Sequence, residues 1–230
     1  MRPMLTVLMA LLLPRAASSQ QSRSYPLETA QGLRLQNVVA EAATLDGKKG
    51  VRVTFPPMAA EQQNQVEPLA VIEGVDFSSG VIEAEVAGTP APGAVTGARG
   101  FVGIAFRLQP DMKTYDAFYL RPANGRADDQ ERRNHATQYI SHPTWTWSRL
   151  RQETPSKYES YVDLLANVWT KIKIEVRGEH ARLYVNDNPQ PILIVNDVKS
   201  GATARGGVAL WIGPGTVAHF RNVTVTSATP

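Results

Sequence analysis

Apolar and polar residues alternate with a period of two along much of this chain, and that pattern leaves few folds open to it. In Trp169–Val176 the residues Ile172, Ile174 and Val176 alternate with Lys171, Lys173 and Glu175. Ile82, Ala84 and Val86 alternate with Val81, Glu83 and Glu85 in the same way, and Ala181, Leu183 and Val185 with Arg182 and Tyr184. A period of two puts successive side chains on opposite faces of a strand. One apolar and one polar face marks an antiparallel sheet with one side in water. Further strands are expected at Leu33–Thr44, Val51–Phe55, Pro68–Ile72, Gly100–Leu108, Tyr115–Arg121, Pro191–Val195, Val208–Ile212 and His219–Thr226. Turn-forming clusters separate them, such as Asp46-Gly47-Lys48-Lys49-Gly50 and Asn186-Asp187-Asn188-Pro189. Met58–Glu67 reads as a loop or a single helical turn, and no helix longer than a turn or two is expected. The class is therefore all-β, a sandwich or barrel. One domain is expected over residues 33–228, behind a flexible lead-in at 20–32, with no linker and no internal repeat.

The amino terminus has the layout of a secretory signal peptide: Arg2, an apolar run from Met4 to Leu13, then small residues from Ala16 to Ser19. The run is too short to span a membrane. Cleavage near Ser19 is expected, and with it a secreted or periplasmic protein. Loss of residues 1–19 removes Arg2 and Arg15 and no acid, so 24 − 2 = 22 basic residues stand against 21 acids, a net charge near +1. That balance excludes the strong positive field of a nucleic-acid binder. The chain has no cysteine, which excludes disulfides, thiolate chemistry and cysteine-bound metal.

The carboxy-terminal half carries a pattern of known strands. Trp169-Thr170-Lys171-Ile172-Lys173-Ile174-Glu175-Val176, Gly178, Ala181-Arg182-Leu183-Tyr184-Val185-Asn186, Gly206-Gly207-Val208-Ala209-Leu210-Trp211 and Phe220-Arg221-Asn222-Val223 resemble the closing strands of concanavalin A-like (laminin-G-like) jelly-roll domains. More narrowly, they resemble the secreted 3-keto-disaccharide hydrolase-like family. Asp76-Phe77, Gly80–Glu85 and Gly103–Arg107 fit the same layout, so the resemblance covers most of residues 70–226. It implies a jelly-roll sandwich of two antiparallel sheets whose concave sheet often binds carbohydrate. The Glu-x-Asp-x-x-Glu strand of laminarinase-type glycosidases on this fold is missing. Retaining hydrolysis needs two carboxylates roughly 5.5 Å apart. Glu83 and Glu85 alternate outward, and Glu159 with Asp163 is the other same-face pair.

Between the regular strands, Tyr115–Asp163 is long, polar and aromatic, with two of the four His, two of the four Trp and five of the seven Tyr. Its first strand would send Phe118 and Leu120 to the core and Tyr115, Tyr119 and Arg121 to the other face. With Arg107, Gln138 and Trp211 these are the concave-sheet candidates, since sugars offer hydroxyls to polar groups and C–H faces to rings. Arg121–His135 contains four Arg, two Asp and one Glu, and residues 114–156 contain no Lys. Arg makes planar, forked contacts, so an ordered loop over the sheet is expected, with Asn124, Arg126 and Asn134 in it. HATQYIS would form a short strand carrying Gln138 and Tyr139. Trp145 and Trp147, followed by Arg149 and Arg151, would stack as rings and guanidinium planes or form a sugar platform. Tyr158 and Glu159 would close the stretch.

Three functions remain open. The first is a carbohydrate-binding module with a sugar or polysaccharide under the 122–160 loop. The second is a glycan-active hydrolase or lyase with Glu159 and His135 moving protons and Arg121 stabilising charge. The third is a structural spacer. No His pair has a metal-binding spacing, and no cofactor is expected. Structural calcium held by carbonyls with Asp76, Asp128 or Asp129 is compatible with the fold, though the chain has no calcium-loop signature.

Overall fold

The structure is a computed structural model that describes residues 21–228, so the expected signal peptide and its cleavage near Ser19 lie outside the described residues. Fifteen strands follow one another: β1 (Gln21–Tyr25), β2 (Leu33–Gln36), β3 (Val39–Leu45), β4 (Lys48–Thr54), β5 (Leu69–Phe77), β6 (Gly80–Pro90), β7 (Val102–Leu108) and β8 (Tyr115–Leu120). The rest are β9 (Thr137–His142), β10 (Glu159–Ser160), β11 (Thr170–Arg177), β12 (His180–Val185), β13 (Leu193–Val195), β14 (Gly206–Ile212) and β15 (Thr216–Ser227). Three short α-helices, α1 (Ala60–Gln63), α2 (Gln130–Asn134) and α3 (Trp147–Glu153), and a 3-10 turn at Pro122–Asn124 interrupt them. No helix among the described residues is long and apolar enough to cross a membrane.

All strand pairs are antiparallel. One sheet runs β13-β12-β11-β6-β15-β4-β3, with β1 also on β15, and the other runs β10-β9-β8-β7-β14-β5-β2. The alternation in the sequence explains the first sheet directly. Ile172, Ile174 and Val176 of β11 and Ile82 and Ala84 of β6 are buried, while Lys171 and Glu83 are exposed. The second sheet is buried on both faces along β7 and β8. On its interior face Phe77, Phe106, Phe118 and Tyr139 contribute one ring per strand, with neighbouring centroids 6.3, 6.2 and 5.4 Å apart. Tyr158 extends the row at 5.7 Å. Such pairs add about 0.5–1.5 kcal/mol each beyond the area they bury.

Two expectations are corrected. The lead-in is not free: β1 lies along the second half of β15, from Gln21 opposite Ser227 to Tyr25 opposite Val223. It is held by a backbone ladder and by Ser22 and Ser24 hydroxyls on Thr226 and Thr224. A polar, mostly exposed strand of this kind leaves no hydrophobic periodicity to read. Leu33–Thr44 is two strands. The chain crosses from one sheet to the other at Asn37, whose φ is +54°, and Val38 is buried at the corner.

Gly103 of β7 shapes the outer face of the second sheet. It stands between Tyr119 of β8 and Trp211 of β14 in the register. A Cβ there would sit 2.2 Å from the Phe118 carbonyl oxygen and 2.5 Å from the Tyr119 Cβ. With no side chain between them, the two rings stack over the glycine, 4.7 Å between centroids. Gly103→Ala should therefore destabilise the fold by about 1–3 kcal/mol through overpacking, read as a lowered denaturation midpoint. Gly207→Ala, whose Cβ would meet nothing nearer than 3.6 Å, should leave the midpoint almost unchanged.

Candidate functional site

The outer face of the second sheet carries an open cleft of about 750 Å³. Its floor comes from β8, β9 and β14: Tyr115, Tyr119, Arg121, Ile140, His142 and Trp211. Residues 58–68, including α1, the loop 91–99, and Arg132, His135, Trp147 and Arg151 on and around α2 and α3 line it. Arg99 and Arg132 meet at Ala123, whose amide donates to the Arg99 carbonyl and whose carbonyl accepts from Arg132 Nη2. The 122–160 excursion thus walls the cleft and leaves it open.

One end is built around Arg121, whose side chain is 5% exposed. Nη1 donates to the His135 carbonyl at 3.0 Å and to Glu159 Oε1 at 2.9 Å. Nη2 donates to the Tyr119 hydroxyl oxygen and to Gln138 Oε1, both at 2.9 Å. The register brings these partners together, since Gln138 faces Tyr119 across β8–β9 and Glu159 faces Gln138 across β9–β10. Arg151 of α3 reaches the same carboxylate, with Nε 2.9 Å from Glu159 Oε2 and Nη2 on Oε1. Burial raises the Glu159 carboxyl, but the Arg151 hydrogen bonds and the Arg121 charge more than offset this and hold it below the ordinary glutamate value. Burial lowers the His135 imidazole. Glu159 pulls it back in part, and the Arg151 and Arg121 charges push it down again, so the ring is neutral at pH 7. Tyr119 spends its oxygen on Arg121 and keeps its own O–H to donate. Burial, ahead of the opposing Arg121 charge, raises its pKa.

The other end holds a second cluster. The Tyr115 hydroxyl donates to Glu67 and accepts from Trp211 Nε1 at 3.1 Å. His142 Nδ1 lies 3.1 Å from Glu67 Oε1 and 3.2 Å from the Tyr115 oxygen, and its ring stacks on Tyr115 at 5.1 Å. Burial and the Glu67 charge push the Tyr115 hydroxyl well above the ordinary phenol range, so it stays protonated. Trp211 and Tyr119 join the two ends, with Phe101 edge-on to Tyr119 at 6.0 Å.

Of the residues singled out from sequence, Tyr115, Tyr119, Arg121, Asn124, His135 and Trp211 line the cleft. Others do not. Gln138 and Glu159 are buried behind Arg121 and hold it in place. Tyr139 and Tyr158 belong to the interior row, donating to Asp116 and Asp197 at 2.6 Å each. Arg126 pairs with Asp163 on the surface, and Asn134 is an exposed partner of Gln130. Arg107 is corrected most sharply. Between Ala105 and Leu108, β7 holds one residue more than the facing stretch of β14, and Arg107 there has a φ of +55°. This bulge turns its side chain off the cleft face. The guanidinium is 1% exposed and donates to the Ser78, Gly178 and Gly201 carbonyls, pinning three turns at one end of the sandwich.

The paired tryptophans separate. Thr146 caps α3, so Trp147 starts a helix and meets Arg151 one turn on, 5.0 Å from ring to guanidinium. Trp145 is instead covered by Arg149 at 3.9 Å and Lys199 at 4.6 Å. Among the lining residues that sequence reading passed over are Glu67, Arg99 and Gln63, which sit in segments without periodicity. Asp76 pairs with Arg205 and Asp129 caps α2, and no three His, Asp or Glu side chains gather into a metal-holding group among the described residues.

Solved structures with this arrangement of sheets exist. The carbohydrate-binding module CBM66 from Bacillus subtilis matches with a TM-score of 0.56 over 84% of this chain and 95% of its own, at 14% identity. The fold is the concanavalin A-like jelly-roll sandwich. A Bacillus subtilis protein of unknown function with a galectin-like fold matches at 0.52, covering 90% and 96% with 12% identity. The Crh5 transglycosylase in complex with NAG matches at 0.51, covering 94% and 86% with 12% identity. At such identities the likeness speaks for the fold alone. No family model matches the chain, and no curated protein sequence is similar to it.

Replacing Glu159 tests the Arg121 end of this jelly roll. Glu159→Gln leaves two guanidinium groups facing each other without an anion, and should cost about 3 kcal/mol at pH 7 in denaturant unfolding. The folded-state pKa of Glu159 is depressed, so its stabilisation is complete above the ordinary value of 4.5 and is lost as pH falls through the folded value. The stability gap between wild type and variant should therefore narrow below about pH 4.5.

Proposed function

We propose that this protein is an extracytoplasmic carbohydrate-binding module whose ligand lies in the cleft on the second sheet. The observation that carries the reading is the cleft itself. It is open, about 750 Å³ in volume, floored by Tyr115, Tyr119 and Trp211, and edged by polar groups held in fixed directions by their partners. Sugars need that combination, rings for their C–H faces and rigid donors and acceptors for their hydroxyls. Tyr119 has a hydroxyl proton to give, and Trp147 stands at the rim, 48% exposed, where no core packing calls for an indole. The structural likeness to a carbohydrate-binding module supports the same reading at the level of fold. The apolar leader with small residues behind it supports a site of action outside the cytoplasm.

A glycan array followed by calorimetry tests this. At least one oligosaccharide should bind, and Trp147→Ala should weaken it by about tenfold, the loss of one aromatic contact worth more than 1 kcal/mol, with the fold intact. An array with no bound glycan would contradict the reading and favour a spacer.

One observation favours a second reading, a glycan-active enzyme. Glu159 is clamped by two arginines and lies behind the floor. Glu67 and His142, by contrast, line the cleft, share a hydrogen bond of 3.1 Å and are each about one-fifth exposed. A carboxylate and an imidazole so placed can exchange a proton with a bound sugar. If the array ligand is cleaved, Glu67→Gln should lower the turnover by about 100-fold or more, followed as release of reducing ends. Unchanged turnover would remove the pair from the chemistry.

A further inference from the structure

We infer that the carbohydrate this cleft takes is acidic, with a carboxylate or sulfate ester of one sugar residue seated against Arg99 and Arg132 beside Asn124. The inference rests on the carbohydrate-binding reading and names the class of sugar.

Charge is the first ground. Four guanidinium groups line the cleft, those of Arg99, Arg121, Arg132 and Arg151. Arg121 and Arg151 share one carboxylate, Glu159. The carboxylate that lines the cleft, Glu67, is engaged with Tyr115 and His142. Glu131 is exposed, and its charge is felt by Arg151 and His135. Among the described residues neither Arg99 nor Arg132 has a carboxylate within the 4.0 Å of an ion pair. The two sit close enough to repel: after burial, the charges of Arg132 and Arg121 are what lower the Arg99 pKa. Like charges gathered in a partly desolvated cleft raise its potential and draw in an anion, and the planar arginine fork fits a carboxylate or sulfate.

Unmet hydrogen-bonding capacity is the second ground, and it points to a sugar rather than a bare ion. Arg132 Nε is shielded from solvent and has no partner. Asn124, 4% exposed, donates its amide nitrogen to the His135 carbonyl at 3.0 Å, which fixes its Oδ1 as the free end, and that buried oxygen also has no partner. Arg132 Nη2 donates to the carbonyl of Ala123, next to Asn124, so both orphans belong to one end of the cleft, which wants an acceptor and a donor. Orphaned buried groups cost free energy, so a ligand that satisfies both gains from both. An inorganic anion offers acceptors alone. A uronate or sulfated sugar brings the oxyanion and a neighbouring hydroxyl on one ring.

The test is calorimetric titration of the whole mature chain with five probes: an oligogalacturonate, the same oligomer reduced at its carboxyl groups, a sulfated chondroitin oligosaccharide, a neutral xylo-oligosaccharide and inorganic sulfate. The inference expects an acidic oligomer to bind at least about tenfold tighter than the reduced and neutral ones, the two acidic probes telling carboxylate from sulfate. Arg132→Gln and Arg99→Gln should each lose about tenfold or more toward the acidic oligomer. Arg126→Gln, which removes the same charge from the surface pair with Asp163, should lose nothing. Equal binding of acidic and neutral oligomers overturns the acidic assignment and leaves the carbohydrate reading standing. So does equal loss in Arg126→Gln and Arg132→Gln, which would mark diffuse charge attraction. Sulfate binding as tightly as the oligomers, or no oligomer binding at all, overturns both. Thermal midpoints of the variants, measured alongside, separate lost binding from lost folding, and Arg99→Gln carries the test if Arg132→Gln unfolds.

Discussion

A single buried cation organises one end of the cleft on the second sheet. Arg121 leaves the end of β8 with its guanidinium almost out of water, and a charge so placed persists only when every face of it is met. Four hydrogen bonds meet it, from β8, β9, β10 and the cap of α2. Those bonds fix Tyr119 on the floor, draw the two-residue β10 onto the sheet edge and bring Glu159 inward. Glu159 then recruits Arg151 and with it α3. A lysine could not do this, because an ammonium has no planar fork to hold four oxygens in one layer. Of the arginines in the lysine-free interval 114–156, Arg121 and Arg151 serve this network, whereas Arg126 and Arg149 make exposed pairs.

The two faces of the second sheet are built by different means. The interior face is closed by large rings, one per strand, which exclude water and resist repacking. The outer face carries the cleft. Gly103 lets the Tyr119 and Trp211 rings close over it, and these rings with Tyr115, Ile140 and His142 form the floor. Polar groups follow the same division. Asp116, Tyr139, Ser200 and Arg107 form a closed interior network, whereas the cleft groups keep unused capacity. Burial raises the Asp116 carboxyl, a further sign that the interior network tolerates charge poorly.

Much of this was legible in the residues, and what was not has definite causes. Alternation reports burial, so it found β6, β11 and β12 and assigned Tyr119 and Arg121 to the face away from the core. It could not find β1, whose partners are backbone groups and Ser–Thr hydroxyls. It could not divide Leu33–Thr44, because the divide is a dihedral at Asn37 and not a change in hydropathy. Counting faces also fails at a bulge: one extra residue in β7 sends Arg107 to the wrong side of any strict two-residue count. Arg149 and Arg151 stack on Trp145 and Trp147 as their order in the sequence suggests, while the Thr146 cap that puts the second ring on a helix does not show in that order. Glu67 and Arg99 reach the cleft from segments whose sequence carries no periodic signal, so only the folded chain brings them to β8 and β14. The difference between a residue that touches a ligand and one that holds the residue that does, as Gln138 and Glu159 hold Arg121, lies in side-chain direction. Spacing along a strand does not contain it.

The central claim is that recognition takes place on the outer face of the second sheet, in the cleft lined by the 91–99 loop and the α2–α3 wall. The four tryptophans divide in a way that tests this with one experiment. Trp147 and Trp211 line the cleft, while Trp169 belongs to the other sheet, with its indole nitrogen on the Leu45 carbonyl at 3.0 Å. In a nitrogen-15 correlation spectrum each indole gives its own signal, which can be followed as an oligosaccharide ligand is added. The Trp147 and Trp211 signals should move together and saturate, and that of Trp169 should stay in place. Movement of Trp169 with the two cleft signals unchanged would put the ligand on the opposite sheet and contradict the account.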